Sequence, residues 1–158
     1  MSVPSFGIGY TKVKFIEKSQ QMDHEEEMTV VRHNSTMSSI KITDLRILAA
    51  EDNDSNFLLI RNILKGNRLT RAVTGTEAVE KIRAQTFDVV FMDIRMPVMS
   101  GLEATSVIRE FDSVTPIIAL TANAFDSDKD EALAVGCNYF ITKPLKKREL
   151  IELLSKFC

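Results

Sequence analysis

The stretch Phe87-Asp88-Val89-Val90-Phe91-Met92-Asp93-Ile94-Arg95-Met96-Pro97-Val98-Met99-Ser100-Gly101 decides how this chain folds. Phe87 to Met92 is an apolar run broken only by Asp88. A run of that length without alternation reads as a strand buried on both faces. It ends in acid at Asp93. Pro97 to Gly101 then carries turn residues. A helix follows, bearing Leu102, Ala104, Thr105 and Ile108. Strand, acidic end, loop and amphipathic helix make one β–α unit.

The unit recurs on both sides. Upstream, Leu45 to Ala50 is a short apolar run closing on Glu51-Asp52. Asp54 or Ser55 is placed to cap a helix carrying Phe57, Leu58, Ile60, Ile63 and Leu64, with Gly66-Asn67 at its end. Leu69 to Val73 is a weaker strand, and a helix from Thr76 sets Ala78, Val79 and Ile82 on one face. Downstream, Pro116 to Leu120 is a fourth strand. A helix from Asp128 to Val135 stops at Gly136. Tyr139 to Thr142 is a fifth strand, and Lys146 to Phe157 closes the chain as a helix with Leu150, Ile151, Leu153 and Leu154 inward. Five such units predict an α/β fold, a doubly wound parallel sheet with helices on both faces.

All of this lies in residues 41–158. Residues 1–40 are different in kind: polar, irregular, with an acidic run Glu25-Glu26-Glu27 and a linker-like stretch through Asn34, Ser35 and Thr36. Thr11, Val13 and Phe15 alternate with lysines and predict one short strand. This segment reads as an N-terminal extension or the remnant of a preceding domain.

Composition narrows the function. The 158 residues are 44% hydrophobic, too apolar for a disordered chain. Lys plus Arg is 20 against 22 for Asp plus Glu, so no basic surplus advertises direct nucleic-acid binding. Cys137 and Cys158 form neither a disulfide framework nor a metal knuckle, and read as free thiols in a reducing compartment. No apolar run is long enough to span a bilayer, and Met1 to Tyr10 lacks a secretory pattern. The expected location is cytoplasmic, or the cytoplasmic portion of a membrane sensor.

In open parallel sheets the working site lies beyond the carboxyl ends of the strands. Those ends carry Glu51-Asp52, Asp93, Thr121 and Lys143. Singly, each is an ordinary turn, strand or surface residue. Together they put three carboxylates, a hydroxyl and an ammonium on one edge, and crowded acids repel unless a cation sits among them. Mg²⁺ suits such a set, because it takes hard oxygen ligands and works with one or two carboxylates plus phosphate oxygens. A carboxylate in that setting can attack phosphorus and become an acyl phosphate.

At these residues the chain resembles the receiver domain of two-component response regulators. The resemblance rests on Glu51-Asp52-Asn53, on Met92-Asp93-Ile94-Arg95-Met96-Pro97 through Gly101, on Ala119-Leu120-Thr121-Ala122-Asn123 and on Thr142-Lys143-Pro144-Leu145. The separations fit too: 41 residues from Asp52 to Asp93, 28 on to Thr121 and 22 on to Lys143. In style the chain is most similar to receivers attached to hybrid sensor histidine kinases. The resemblance implies a flavodoxin-like sheet of strand order 2-1-3-4-5. It implies Asp93 as phospho-acceptor, with Glu51, Asp52, Asp93 and the Arg95 backbone carbonyl holding Mg²⁺, or Mn²⁺ in its place. It implies Lys143 as the phosphate-contacting lysine, oriented by a cis peptide to Pro144, with Thr121 and Phe140 as the switch pair. The implied partner is a histidine kinase or histidine phosphotransfer domain. A homodimer through the fourth helix, fifth strand and fifth helix is a further expectation. On this reading the domain phosphorylates itself from a donor and is not a turnover enzyme, and it is either a stand-alone regulator or the receiver of a hybrid histidine kinase.

Two readings compete. Haloacid-dehalogenase-type phosphatases also use an aspartate after a strand, but they want a second acid two residues later, where this chain has Arg95. A phosphorylation-independent interaction module would share the fold and fail to bind Mg²⁺. His24 and His33 read as solvated side chains, because helix-length periodicity is missing around them.

Overall fold

The computed structural model describes residues 42–157, so the N-terminal segment, the short strand expected in it, both histidines and Cys158 lie outside the described residues. Strands β1 (Arg46–Ala50), β2 (Arg68–Ala72), β3 (Val89–Asp93), β4 (Ile117–Thr121) and β5 (Tyr139–Thr142) alternate with helices α1 (Asp54–Ile63), α2 (Gly75–Ala84), α3 (Gly101–Arg109), α4 (Asp126–Ala134) and α5 (Lys147–Leu154). A 3₁₀ turn, Ser155–Phe157, follows α5. The sheet is wholly parallel, in the order β2-β1-β3-β4-β5, the order that the family resemblance implies.

The alternation of side chains along a strand sorts the core into two layers. Leu48, Ala50, Val90, Met92, Ile117 and Ala119 face α2, α3 and α4, meeting Ala78, Ile82, Ala104, Ile108 and Ala132. Ile47, Ala49, Val89, Phe91, Ile118 and Leu120 face the other way, against Ile60, Leu64, Leu150, Leu153 and Leu154 of α1 and α5. Strands β3 and β4 are buried along their whole length, which is why they read as continuous apolar runs. Edge strands β2 and β5 are only partly covered.

Local chemistry sets the element ends. Asn53 caps α1, accepting from the Asn56 N–H at 2.9 Å, so the cap is neither Asp54 nor Ser55. Thr74 and Ser100 cap α2 and α3 in the same way. Helix α4 begins at Asp126, two residues before the sequence expectation, and its Phe125 cap makes no side-chain bond. Gly136 ends that helix at φ +116, a backbone conformation natural to glycine. The closing helix is shorter than its apolar pattern: it passes at Ser155 into the 3₁₀ turn, where the Ser155 hydroxyl donates to the Glu152 carbonyl at 2.6 Å.

Gly101 joins fold to site. A Cβ there would overlap the carbonyl of Asp93 and crowd the Met92 side chain, while the Gly101 N–H bonds the Ile94 carbonyl at 2.8 Å. Backbone is the obstacle, so repacking cannot relieve it. Gly101→Ala is expected to destabilise the domain by about 2–4 kcal/mol. Urea unfolding measures this, and a cost below about 0.5 kcal/mol, the range of ordinary surface changes, would contradict it.

Candidate functional site

Parallel pairing brings the carboxyl ends of β1, β3, β4 and β5 to one edge, with Ala50 beside Met92, Asp93 beside Leu120 and Thr121 beside Thr142. Each strand therefore delivers its next residues to the same place. Carboxylate oxygens of Glu51, Asp52 and Asp93 can all lie within 4.8 Å of one another. Glu51 is fully buried, Asp93 nearly so, and Asp52 is exposed.

Lys143 closes this group from the far side. Its Nζ donates to Glu51 Oε2 at 2.8 Å and to Asp93 Oδ2 at 3.1 Å. The remaining oxygens find backbone donors: Glu51 Oε1 accepts from the Asn53 N–H at 3.0 Å, and Asp93 Oδ1 from the Arg95 N–H at 3.1 Å. The Lys143–Pro144 peptide is cis. Two buried carboxylates thus share one ammonium. Burial first, and the charge of Glu51 second, push the Asp93 carboxyl up to about 6, against the pull of Lys143 and the Arg95 N–H. Lys143 itself is raised: its bonds and attraction to Glu51 and Asp93 outweigh the lowering by burial.

The acid cluster carries more negative charge than one lysine offsets. Its donors are hard oxygens, and an exposed Asp52 at its rim leaves an approach from solvent. That set fits a divalent cation that keeps part of its water shell.

The two remaining candidates make their contacts elsewhere. The Thr121 hydroxyl donates to the Asn123 carbonyl at 3.0 Å and accepts from the Asn123 N–H at 3.1 Å, with Asp128 Oδ2 3.4 Å away. It is engaged by the β4–α4 loop. Phe140 is half-buried against the α2–α4 side of the core, with the Lys129 ammonium 4.9 Å from its ring centre. The Arg95 side chain points outward, 3.9 Å from Asp128. Cys137 is buried, and its Sγ lies 3.8 Å from the Thr105 hydroxyl.

Sequence reasoning missed three neighbours. Asn53 both caps α1 and serves Glu51, a role its place in the motif could have signalled. Asp128 touches Thr121 and lies near Arg95, seven and thirty-three positions on in the chain. Arg71, on edge strand β2, donates to the backbone carbonyls of Glu51 and Asp52. A lone arginine in a weak strand offers no pattern from which that could be read.

Sheet order and strand-end chemistry define a doubly wound α/β protein of the flavodoxin-like class. Comparison with known proteins takes this to a family. Residues 47–155 match the response regulator receiver domain, and the chain belongs to that family of two-component phosphorelay systems. It is 39% identical over 116 residues to the autoinducer 2 sensor kinase/phosphatase LuxQ of Vibrio vulnificus, covering 72% of this chain and 14% of that protein. A two-component response regulator of Oryza sativa subsp. japonica is 38% identical over 119 residues, covering 72% of this chain and 94% of its own. The receiver domain of a sensor histidine kinase of Pseudomonas aeruginosa, solved with a magnesium ion coordinated in its active-site cleft, superposes with a TM-score of 0.69 at 38% identity, over 73% of this chain and 98% of its own. Against the hybrid kinases the chain spans a small part of the relatives' length, 4% in the case of hybrid signal transduction histidine kinase G of Dictyostelium discoideum.

Proposed function

We propose that the domain accepts a phosphoryl group on Asp93 from a phosphohistidine of a histidine kinase or histidine phosphotransfer domain. The observation that carries this is the buried Asp93 carboxylate at the end of a central strand, bonded to Lys143 and faced by Glu51. An Asp93 oxygen attacks phosphorus, the P–N bond breaks, and the imidazole leaves with the electron pair and takes a proton. The product is an acyl phosphate on Asp93. Lys143 exchanges its bond to the carboxylate for one to a phosphoryl oxygen, acting as a point charge. Glu51, Asp52, Asp93 and the Arg95 carbonyl would hold Mg²⁺, or Mn²⁺ in its place, and the bound cation would supply positive charge to the transferring group.

Thr121 then turns from the Asn123 carbonyl to a phosphoryl oxygen. Phe140 moves into the space this opens and repacks the face of α4, β5 and α5, where a second copy can dock. A local charge thus biases a two-state element. On this reading residues 41–158 form the receiver, and residues 1–40 are an N-terminal extension or the remnant of a preceding domain. The cellular setting is the cytoplasm or the cytoplasmic portion of a membrane sensor. Among the described residues no helix is long and apolar enough to cross a membrane. The chain's relatives include both hybrid kinases and a protein of nearly its own receiver length, so a stand-alone regulator and a hybrid-kinase receiver are both consistent with them.

Incubation with a small acyl-phosphate donor and Mg²⁺ tests the reading. The parent protein should acquire a hydroxylamine-labile phosphate, and Asp93→Asn should acquire less than a hundredth as much. Equal labelling of the two would overturn the assignment. Steady release of product from a generic phosphate ester would favour a phosphatase instead.

A further inference from the structure

Arg71 stands on β2 opposite Ala49, near the point where the β1–β2 ladder ends at Ala50 and Ala72. The last ladder bond runs from the Glu51 N–H to the Ala72 carbonyl at 2.9 Å. Beyond it, the carbonyls of Glu51 and Asp52 have no strand partner on that side. Arg71 supplies one for each. Its Nε donates to the Glu51 carbonyl at 3.0 Å and its Nη2 to the Asp52 carbonyl at 3.1 Å. Its Nη1 lies 2.9 Å from Asp54 Oδ1, and its guanidinium carbon sits 4.7 Å from the centre of the Phe57 ring.

These contacts share one geometry. A planar guanidinium offers donors on three nitrogens in a fixed fork and lays its face on an aromatic ring. Here the fork spans the turn from β1 into α1, and Phe57 holds the plane in place. The ion pair with the exposed Asp54 contributes little by itself. The two carbonyl bonds fix the backbone from which the two carboxylates project.

We infer that Arg71 is a positioning residue for the acidic pair, setting the affinity of Glu51 and Asp52 for a divalent cation by fixing their backbone carbonyls. This rests on the cation-binding reading of the site given above. Positioning and charge make opposite predictions. A fixed positive charge near an acid cluster opposes a second cation, so by charge alone its removal tightens binding. Loss of positioning loosens it, as removal of outer-shell partners of metal ligands does, typically by tenfold or more.

Titration calorimetry with Mg²⁺ at pH 7.5 on the parent, Arg71→Met and Arg71→Lys separates these. Arg71→Met should bind Mg²⁺ about tenfold more weakly. Arg71→Lys keeps the charge and loses the fork, and should also bind more weakly. Backbone amides of residues 51–54 should exchange with solvent faster in both variants before Mg²⁺ is added. Binding by Arg71→Met that is equal to or tighter than that of the parent, or an unchanged Arg71→Lys, would overturn the inference alone. A parent protein that takes up no Mg²⁺ would overturn both the inference and the reading beneath it. Urea unfolding of each variant confirms a folded domain, and the charge-conserving lysine variant carries the test where the methionine variant does not fold.

Discussion

Asp93→Asn should make the cation-free protein more stable at pH 7.5, by about 2–3 kcal/mol, while removing its capacity to accept phosphate. The carboxyl of Asp93 titrates near its ordinary value, 3.8, when the chain is unfolded and at about 6 in the folded protein. Between those values the folded state holds the proton more tightly, so stability falls as pH rises. The contribution is fully present below pH 4 and is lost as pH passes through 6, for a total of about 3 kcal/mol at 1.36 kcal/mol per unit. Asparagine has the same shape and carries no charge to be buried beside Glu51; its one amide oxygen keeps the bond from Lys143 and gives up the one from the Arg95 N–H, which holds the gain below the full value. The gain should therefore be largest above pH 7 and vanish near pH 4. Mg²⁺ at about a thousand times its dissociation constant should reverse the order, because binding to the parent stabilises only the folded state, there by about 4.1 kcal/mol. Urea unfolding at pH 4 and pH 7.5, with and without Mg²⁺, measures all four values. A variant less stable than the parent at pH 7.5 without Mg²⁺ would show that the carboxylate is not under electrostatic strain.

That strain is written in residues the sequence made visible. Asp93 follows an apolar run broken only by Asp88, so its place at the end of a buried central strand was legible, and with it its convergence with Glu51-Asp52 and Lys143 on one edge. Sheet order came from the family resemblance, while the residue pattern itself gave only a doubly wound parallel sheet. What stayed hidden depends on atoms meeting across the chain. The cap of α1 falls on Asn53 because the chain turns there, straight out of β1, and the same residue's backbone N–H donates to Glu51. Asp54 and Ser55 have equal propensity for a cap but sit inside the helix. The start of α4 was legible only to within two residues, since its cap has no polar side chain to mark it. Thr121 was placed on the right edge, yet the direction of its hydroxyl is set by the Asn123 backbone, which no residue pattern encodes. Arg71 is the extreme case: its identity is ordinary for an exposed edge strand, and only the ladder's end at Ala72 puts it against the acidic pair.

Lys143→Met should have the largest stability cost of any single change at the site, about 3–5 kcal/mol at pH 7.5 without divalent cations. The methionine keeps much of the stem's packing and removes only the ammonium. Glu51 is fully buried and the Asp93 side chain is 7% exposed, so neither carboxylate can turn to water when its cation is gone. The lysine pKa is raised in the fold, so its own contribution is complete below its ordinary value of 10.5 and fails only in strong alkali. Any pH dependence between 4 and 8 that the variant shows beyond the parent's therefore belongs to the carboxylates. Without Lys143 the Asp93 carboxyl loses the attraction that opposed Glu51, and its pKa should climb above the parent's value of about 6. Acid should then rescue the variant: the deficit at pH 7.5 should shrink toward pH 5, as Asp93 takes a proton and donates it to Glu51. Mg²⁺ should rescue stability as well, by restoring positive charge among the same oxygens, yet phosphoryl acceptance should remain at least tenfold slower, because a cation on the carboxylates does not replace an ammonium on the phosphoryl group. A variant rescued in stability and in phosphorylation rate alike would mean that Lys143 serves the fold and not the chemistry.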